Sequence, residues 1–309
     1  MALSAPLVAA IEAAIAQAGG RVFRSQTVQA IGGGCIHQAW LLADGDRQYF
    51  VKTNDVRTKP MFEAEADGLA ALAATEAIRV PKVGAGGMKC PAWGTAGGQA
   101  FLVMEYLAMR ALDRAGAAAL GQALAELHRR TGNDGNATYG WPRDNFIGAT
   151  PQSNQSHRTW AGFFAAERMR PQLALASRNG MESTLRDKGE RVAERLAAFF
   201  LDYRPAPSLL HGDLWSGNAA QLPDGTPVIF DPAVYRGDRE TDLAMSELFG
   251  GFPVDFYAAY RAAWPLDAGY ETRKTLYNLY HILNHFNLFG ASYLGQARRM
   301  IEKLLAELR

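Results

Sequence analysis

His211-Gly212-Asp213-Leu214-Trp215-Ser216-Gly217-Asn218 spaces a histidine, an aspartate and an asparagine as H-x-D-x-x-x-x-N. The residues after Asn218 give that spacing its meaning. Ala219 to Leu222 reads as a strand, Pro223-Asp224-Gly225-Thr226 as a turn, and Pro227 to Phe230 as a second strand that ends in Asp231. A hairpin with these ends returns Asp231 close to Asn218. One carboxylate and one amide oxygen then converge, hard ligands suited to Mg2+ held jointly with the phosphates of ATP. Asp213 becomes the candidate base, placed to accept a hydroxyl proton and aim that oxygen at a γ-phosphorus. The plainer reading of Asp213 is a turn residue capping a loop, and Asn218 and Asp231 in register argue against it. His211 reads as structural, holding the loop by packing and hydrogen bonds.

Nearer the N-terminus, Lys52 ends the apolar strand Gln48 to Thr53. A strand-end lysine in solvent is common, so the next helix decides. Over residues 60–75, Phe62, Glu65, Leu69 and Leu72 share one stripe at about 100° per residue, with Glu63 opposite. A glutamate on a core-facing stripe needs a partner. The reading therefore pairs Glu65 with Lys52 around an ATP phosphate and leaves Glu63 in solvent. Gly32, Gly33 and Gly34 sit in a tight turn between two strands and let the backbone approach phosphates closely; neither G-x-G-x-x-G nor G-x-x-x-x-G-K-[ST] is present. Cys35 in that turn is either a small filler or an exposed thiol open to oxidation. Phe101 to Leu107 reads as a buried strand running into a linker, where Met104, Glu105 and Leu107 would flank adenine, Met104 equally fitting plain core. Asp242, in the helix that follows Asp231, is read as an acceptor bracing the catalytic-loop backbone.

The 309 residues suggest one large domain or two packed lobes. The formal charge of +1 gives no bulk electrostatic case for nucleic acid or membrane. Two cysteines make neither a disulfide framework nor a metal cluster and fit a reducing cytoplasm. Leu3, Leu7, Val8, Ile11 and Ile15 recur at helical spacing, and Glu12 interrupts the apolar run, so the N-terminus reads as an amphipathic helix rather than a signal peptide. No apolar stretch of about 18 residues suggests a membrane span.

Strands are expected at 21–30, 38–43, 48–53 and 101–107. Helices are expected at 111–130, 159–177, 181–202, 240–263 and 270–308, with a long ordered loop at 131–158. The result is an α+β, bilobal fold: a nucleotide-binding lobe of residues 1–106, a small antiparallel sheet carrying one helix, and a mainly helical catalytic and acceptor-binding lobe of residues 107–309. Eight residues separate Asp231 from Glu240, and no Ala-Pro-Glu follows. That leaves no room for a peptide-docking platform and favours a small acceptor. Trp215, Tyr280, Asn284 and His285 are the candidate acceptor residues, because amides, imidazoles and aromatic rings suit sugar hydroxyls and C–H faces. A partly buried amphipathic helix is the competing reading of the last three.

These features, with Met61-Phe-Glu-Ala-Glu65, Phe101-Leu-Val-Met-Glu-Tyr-Leu107, Phe230-Asp-Pro-Ala233, Phe249-Gly-Gly-Phe-Pro253 and Leu283-Asn-His-Phe-Asn287, resemble the fructosamine/ketosamine-3-kinase family, within the aminoglycoside-phosphotransferase-like branch of the protein-kinase-like fold. The resemblance runs from about residue 20 to 300. It implies ATP- and Mg2+-dependent phosphorylation of the 3-hydroxyl of a ketosamine, on a small amine or a glycated protein lysine. The 3-phosphate then eliminates and frees the amine, which is deglycation repair. Asn145-Phe-Ile-Gly148 and Pro151-Gln-Ser-Asn154 resemble the bacterial branch, which implies ribulosamines or erythrulosamines ahead of fructosamines. The resemblance also implies a redox-sensitive Cys35 and a monomer or redox-linked dimer. Phe286 and Leu288 depart from the tryptophan and polar residue of some relatives, a departure that bears on acceptor preference. Two other readings stand beside this one: a kinase for choline, an aminoglycoside or another metabolite, and a pseudokinase binding module. The joint presence of Lys52, Glu65, Asp213, Asn218 and Asp231 argues against the second.

Overall fold

Gln38–Asp44 and Arg47–Asp55 pair antiparallel, with Asp44 opposite Arg47 and Gly45 in the left-handed region at φ +59°, as the Asp44-Gly45 turn signal requires. The computed structural model in which this hairpin lies describes residues 2–32, 36–84, 93–132 and 138–308. Gly33, Gly34 and Cys35 lie outside the described residues, so the Gly-rich turn is seen only at Gly32, which is exposed. By packing, the chain forms two compact units, Met1–Ala111 with Ala220–Asp231, and Leu112–Ala219 with Pro232–Arg309. The break falls after Ala111 rather than at residue 106, and a second stretch of chain joins the first unit.

The first unit is built on five antiparallel strands in the order Thr27–Ile31, Gln38–Asp44, Arg47–Asp55, Gln99–Glu105, Trp93–Ala96. Lys52 stands opposite Ala39 on one side and Leu102 on the other, in the central strand. Helix Ala5–Gly19 buries Leu7, Ile11 and Ile15 against Trp40, Leu42, Val51, Phe101 and Val103. The first strand starts at Thr27, not at residue 21. Glu12 explains the difference: its carboxylate takes the Ser25 N–H at 2.8 Å, the Ser25 hydroxyl at 2.7 Å and the Arg24 guanidinium at 2.9 Å, holding that backbone on the helix. Strand Trp93–Ala96 was not expected. The hairpin Ala219–Gln221 with Pro227–Ile229 forms as read. It is tied to the first unit by Gln221 and Arg110, which exchange two 2.9 Å backbone bonds, and by Ile229 N–H on the Arg79 carbonyl at 3.1 Å.

The second unit is mainly helical. Arg114–Gly132 packs on Val254–Ala263, and Gly121 makes that approach possible, since a Cβ there would collide with the Phe256 carbonyl oxygen. Gly121→Ala is therefore expected to lower unfolding free energy by about 1–3 kcal/mol, read from urea melts. The two long helices of the sequence reading are each broken in two. Glu240–Leu248 and Val254–Ala263 are separated by Gly250 and Gly251, both at positive φ, and by Pro253. Tyr270–Phe289 and Leu294–Glu307 are separated by Gly290 at φ +90°. The expected loop 131–158 contains a small hairpin, Asn145–Ile147 with Thr150–Gln152, turned at Gly148. Strands Ser208–Leu210 and Tyr235–Gly237 pair and lead the chain into and away from the 211–218 segment. No helix among the described residues is long and apolar enough to cross a membrane.

Candidate active site

In the first unit Lys52 is buried, and its ammonium is shared between two carboxylates. Glu65 accepts at 2.6 Å, as the helix stripe anticipated, and Asp231, 179 positions away, accepts a second, short bond. Glu63 instead pairs with Lys59 one turn before it. Burial pulls the ammonium toward deprotonation, but the two acids outweigh it and hold Lys52 charged. Burial lifts the Glu65 carboxyl to about 7, only partly offset by Lys52. The Asp231 side chain is 46% exposed, and its backbone is left-handed at φ +56°, a conformation that costs a non-glycine residue roughly 1–2 kcal/mol. The Asp231 carboxylate is thus the exposed member of the trio, and Glu65 and Lys52 are the buried pair.

His37 belongs to this group and was not singled out by the sequence reading. Its ring lies 4.7 Å from the Phe62 ring, and Asn54 Nδ2 is 3.0 Å from Nδ1. Burial, then the neighbouring Lys52 charge, push its pKa down to about 4, so it stays neutral. The signal available was a histidine two residues beyond a Gly-rich turn. At the other end of the sheet Met104 is buried within its strand. The Glu105 carboxylate is spent on Arg79 and on the Lys82 N–H, both at 2.6 Å, and the Glu105 N–H on the Lys82 carbonyl. Leu107 is half-buried.

In the second unit the 211–218 segment is held from behind. Asp242 is buried and accepts the backbone N–H of His211 and of Gly212, both at 2.8 Å, the bracing role read from sequence. The His211 carbonyl accepts from Ala233 N–H at 2.8 Å, and Gly212, at φ +81°, leaves room for the Ala233 carbonyl. His211 is fully buried, and its Nδ1 accepts the Asp213 N–H at 3.3 Å. Asp213 is half-buried. Asn218 donates Nδ2 to the Asp213 carbonyl at 2.9 Å and to its carboxylate at 3.3 Å. With the amide nitrogen so committed, the Asn218 oxygen is the atom left to face a cation.

Asp231 and Asn218 are hard oxygen donors. Among the described residues no three acidic, histidine or cysteine side chains gather as a metal centre. A carboxylate in the first unit and an amide oxygen in the second are each of the donor type that Mg2+ takes beside phosphate and water.

The acceptor candidates divide. Trp215 is 37% exposed and meets Phe249 edge-on at 6.5 Å, while Phe249 packs on the His285 ring at 4.6 Å. Tyr280 and Asn284 are buried instead. Tyr280 donates to Gln152 Oε1 at 2.5 Å, and Asn284 accepts from Gln172 Nε2 at 3.2 Å. Their side chains brace the 145–152 hairpin and the helix beside it. The polar stripe of this helix meets another part of the same unit, and that is why their polar atoms are unavailable to an acceptor.

An antiparallel sheet with a lysine–glutamate pair and a braced H-x-D-x-x-x-x-N loop define a kinase of the protein-kinase-like fold. The chain is similar over 96% of its length to a crystal structure of a putative fructosamine-3-kinase from Haemophilus somnus (96% of that chain, 32% identity, TM-score 0.85). It also shares its fold, at 14% identity and TM-score 0.61, with an aminoglycoside phosphotransferase, covering 96% of this chain and 98% of the other. Residues 7–307 match the fructosamine kinase family, and the chain belongs to it. It is 47% identical to a probable ketoamine kinase of Synechocystis over 94% of both chains. It is 40% identical to a chloroplastic protein-ribulosamine 3-kinase of indica rice over 94% of this chain and 82% of that one.

Proposed function

We propose that the protein moves the γ-phosphoryl group of MgATP to the 3-hydroxyl of a ketosamine, either on a small amine or on a glycated lysine, and so initiates deglycation in the cytoplasm. The observation that carries this reading is the sharing of the Lys52 ammonium between buried Glu65 and exposed Asp231. Glu65 keeps the lysine in place, and phosphate oxygens take over the position Asp231 gives up. Released, the Asp231 carboxylate serves Mg2+ together with the Asn218 oxygen; the cation, when bound, neutralises charge on the transferring phosphates. Asp213 accepts the proton of the 3-hydroxyl as its oxygen forms the bond to phosphorus and the bond from phosphorus to the β–γ bridging oxygen breaks. Trp215 and His285 present an aromatic and an imidazole face to the sugar. The kinship with a ketoamine kinase and a protein-ribulosamine 3-kinase supports a ketosamine over other hydroxyl acceptors.

The test is ADP formation measured in parallel on ribuloselysine, fructoselysine, choline and kanamycin. Turnover on the two ketosamines, faster on ribuloselysine, with free lysine appearing afterwards, is the expected result. Turnover confined to choline or kanamycin would overturn the acceptor assignment, and none on any of the four would favour a binding module.

A further inference from the structure

The catalytic segment is held by Asp242, and what holds Asp242 lies deeper in the second unit. His128, in the last turns of helix Arg114–Gly132, is fully buried. Its Nε2 is 3.2 Å from Asp242 Oδ2, and its Nδ1 is 2.9 Å from the Tyr260 hydroxyl. The Tyr260 oxygen is in turn 3.2 Å from Arg239 Nη1. Arg239 is anchored independently, with Nη1 and Nη2 on the Trp264 and Pro265 carbonyls and its guanidinium 4.0 Å over the Trp264 ring.

The two ends of this chain fix the direction of its outer hydrogen bonds. A guanidinium only donates, so the Tyr260 oxygen accepts from Arg239 while it also pairs with His128 Nδ1. An ionised carboxylate only accepts, so His128 must carry its proton on Nε2 to meet Asp242. Burial would raise the Asp242 pKa, but the His128 bond, the His128 and His211 rings and the Gly212 N–H outweigh it and hold the carboxyl below its ordinary range. The Asp242 end therefore fixes an N–H on His128 Nε2.

The backbone around His128 is fixed as well. Its carbonyl accepts from the Ser208 hydroxyl at 2.8 Å, and Thr131 Oγ1, one turn on, accepts the Leu209 N–H at 2.8 Å. The helix end is thus fastened to the strand that delivers His211. The close approach at Gly121 and Phe256 lies on the same helix faces, two turns before His128 and one turn before Tyr260, and it sets the gap their hydrogen bond spans.

We propose that His128 is a positioning residue for phosphoryl transfer: held between Tyr260 and Asp242 with an N–H on Nε2, it fixes the carboxylate that orients the two peptide units preceding Asp213. Asp242 with a free rotor would still bind both amides, but at a variable angle, and the error would appear at the Asp213 carboxylate rather than in nucleotide binding. This proposal rests on Asp213 being the base.

The experiment compares His128→Leu with His128→Gln in the full-length chain, with 15N NMR of the imidazoles. Glutamine returns an N–H donor to the place of Nε2; leucine returns only bulk. His128→Leu is expected to lower kcat by about tenfold or more, and His128→Gln to recover it to within about threefold of wild type, with KM for ATP and for ribuloselysine within about twofold in both. Of the six histidines, the resonance lost in His128→Gln identifies the wild-type signal, which is expected to show a proton on Nε2. Equal kcat in the two variants, or a wild-type His128 whose Nε2 carries no proton, would overturn the proposal. Should His128→Leu fail to fold, Tyr260→Phe takes its place: the same kcat loss is expected, and unchanged kcat sinks the idea. The Nε2 reading does not depend on activity, so it stands or falls separately from the role of Asp213.

Discussion

Replacing Asp213 by alanine is expected to lower kcat by at least ~10²-fold while the KM for ATP stays within about threefold. The carboxylate is the group that would take the acceptor proton, and its removal leaves the hydroxyl to ionise unaided. The backbone should not move with it. Asn218 holds the Asp213 carbonyl, and Asp242 holds the peptide N–H groups of His211 and Gly212, and none of those bonds uses the Asp213 side chain. Asp213→Asn sharpens the test, since the amide fills the same space with no basic lone pair of comparable strength. Steady-state turnover on ribuloselysine decides the matter: near-wild-type kcat in either variant would remove the base assignment.

The second large effect is expected at Asp231. Asp231→Asn should abolish Mg2+-dependent ATP binding in calorimetry, a loss of at least ~10²-fold in affinity, because a neutral amide cannot replace a carboxylate at a site with so few protein oxygens. Folding should survive. Lys52 keeps Glu65 at 2.6 Å, and without a second carboxylate nearby Glu65 ionises more readily, so the buried ammonium stays paired. Tightness toward MgATP equal to wild type would end the metal role. A collapse of thermal stability with intact binding would show instead that Asp231 serves only the Lys52 pair.

Much of the candidate site was legible because it is written in local patterns. The stripe of Phe62, Glu65, Leu69 and Leu72 pointed one glutamate inward, and only a buried cation satisfies that. The Asp224-Gly225 turn likewise fixed a hairpin ending at Asp231. The acceptor side was less legible for a physical reason. A polar stripe on a helix shows that something polar faces it, not whether that is water or protein, and for Tyr280 and Asn284 it is protein. The hairpin at Asn145–Gln152 is too short for a periodicity to show. The breaks at Gly250-Gly251 and Gly290 were visible as residues but were overruled by apolar repeats on either side. His128 gave no signal at all, since a histidine in an amphipathic helix has many ordinary uses and its partners are 114 and 132 positions away.

The first unit is made of two stretches of chain, and this has a consequence for its biosynthesis. Lys52 leaves the ribosome 179 residues ahead of Asp231, a delay of roughly 10–40 s at common elongation rates. During that interval the five-stranded sheet can pair and Lys52 can meet Glu65, but the Arg79 and Arg110 backbone groups that receive the 220–231 hairpin remain without it. A nascent chain stalled before residue 220 should therefore present these backbone groups to chaperones, and one stalled well after residue 231 should not.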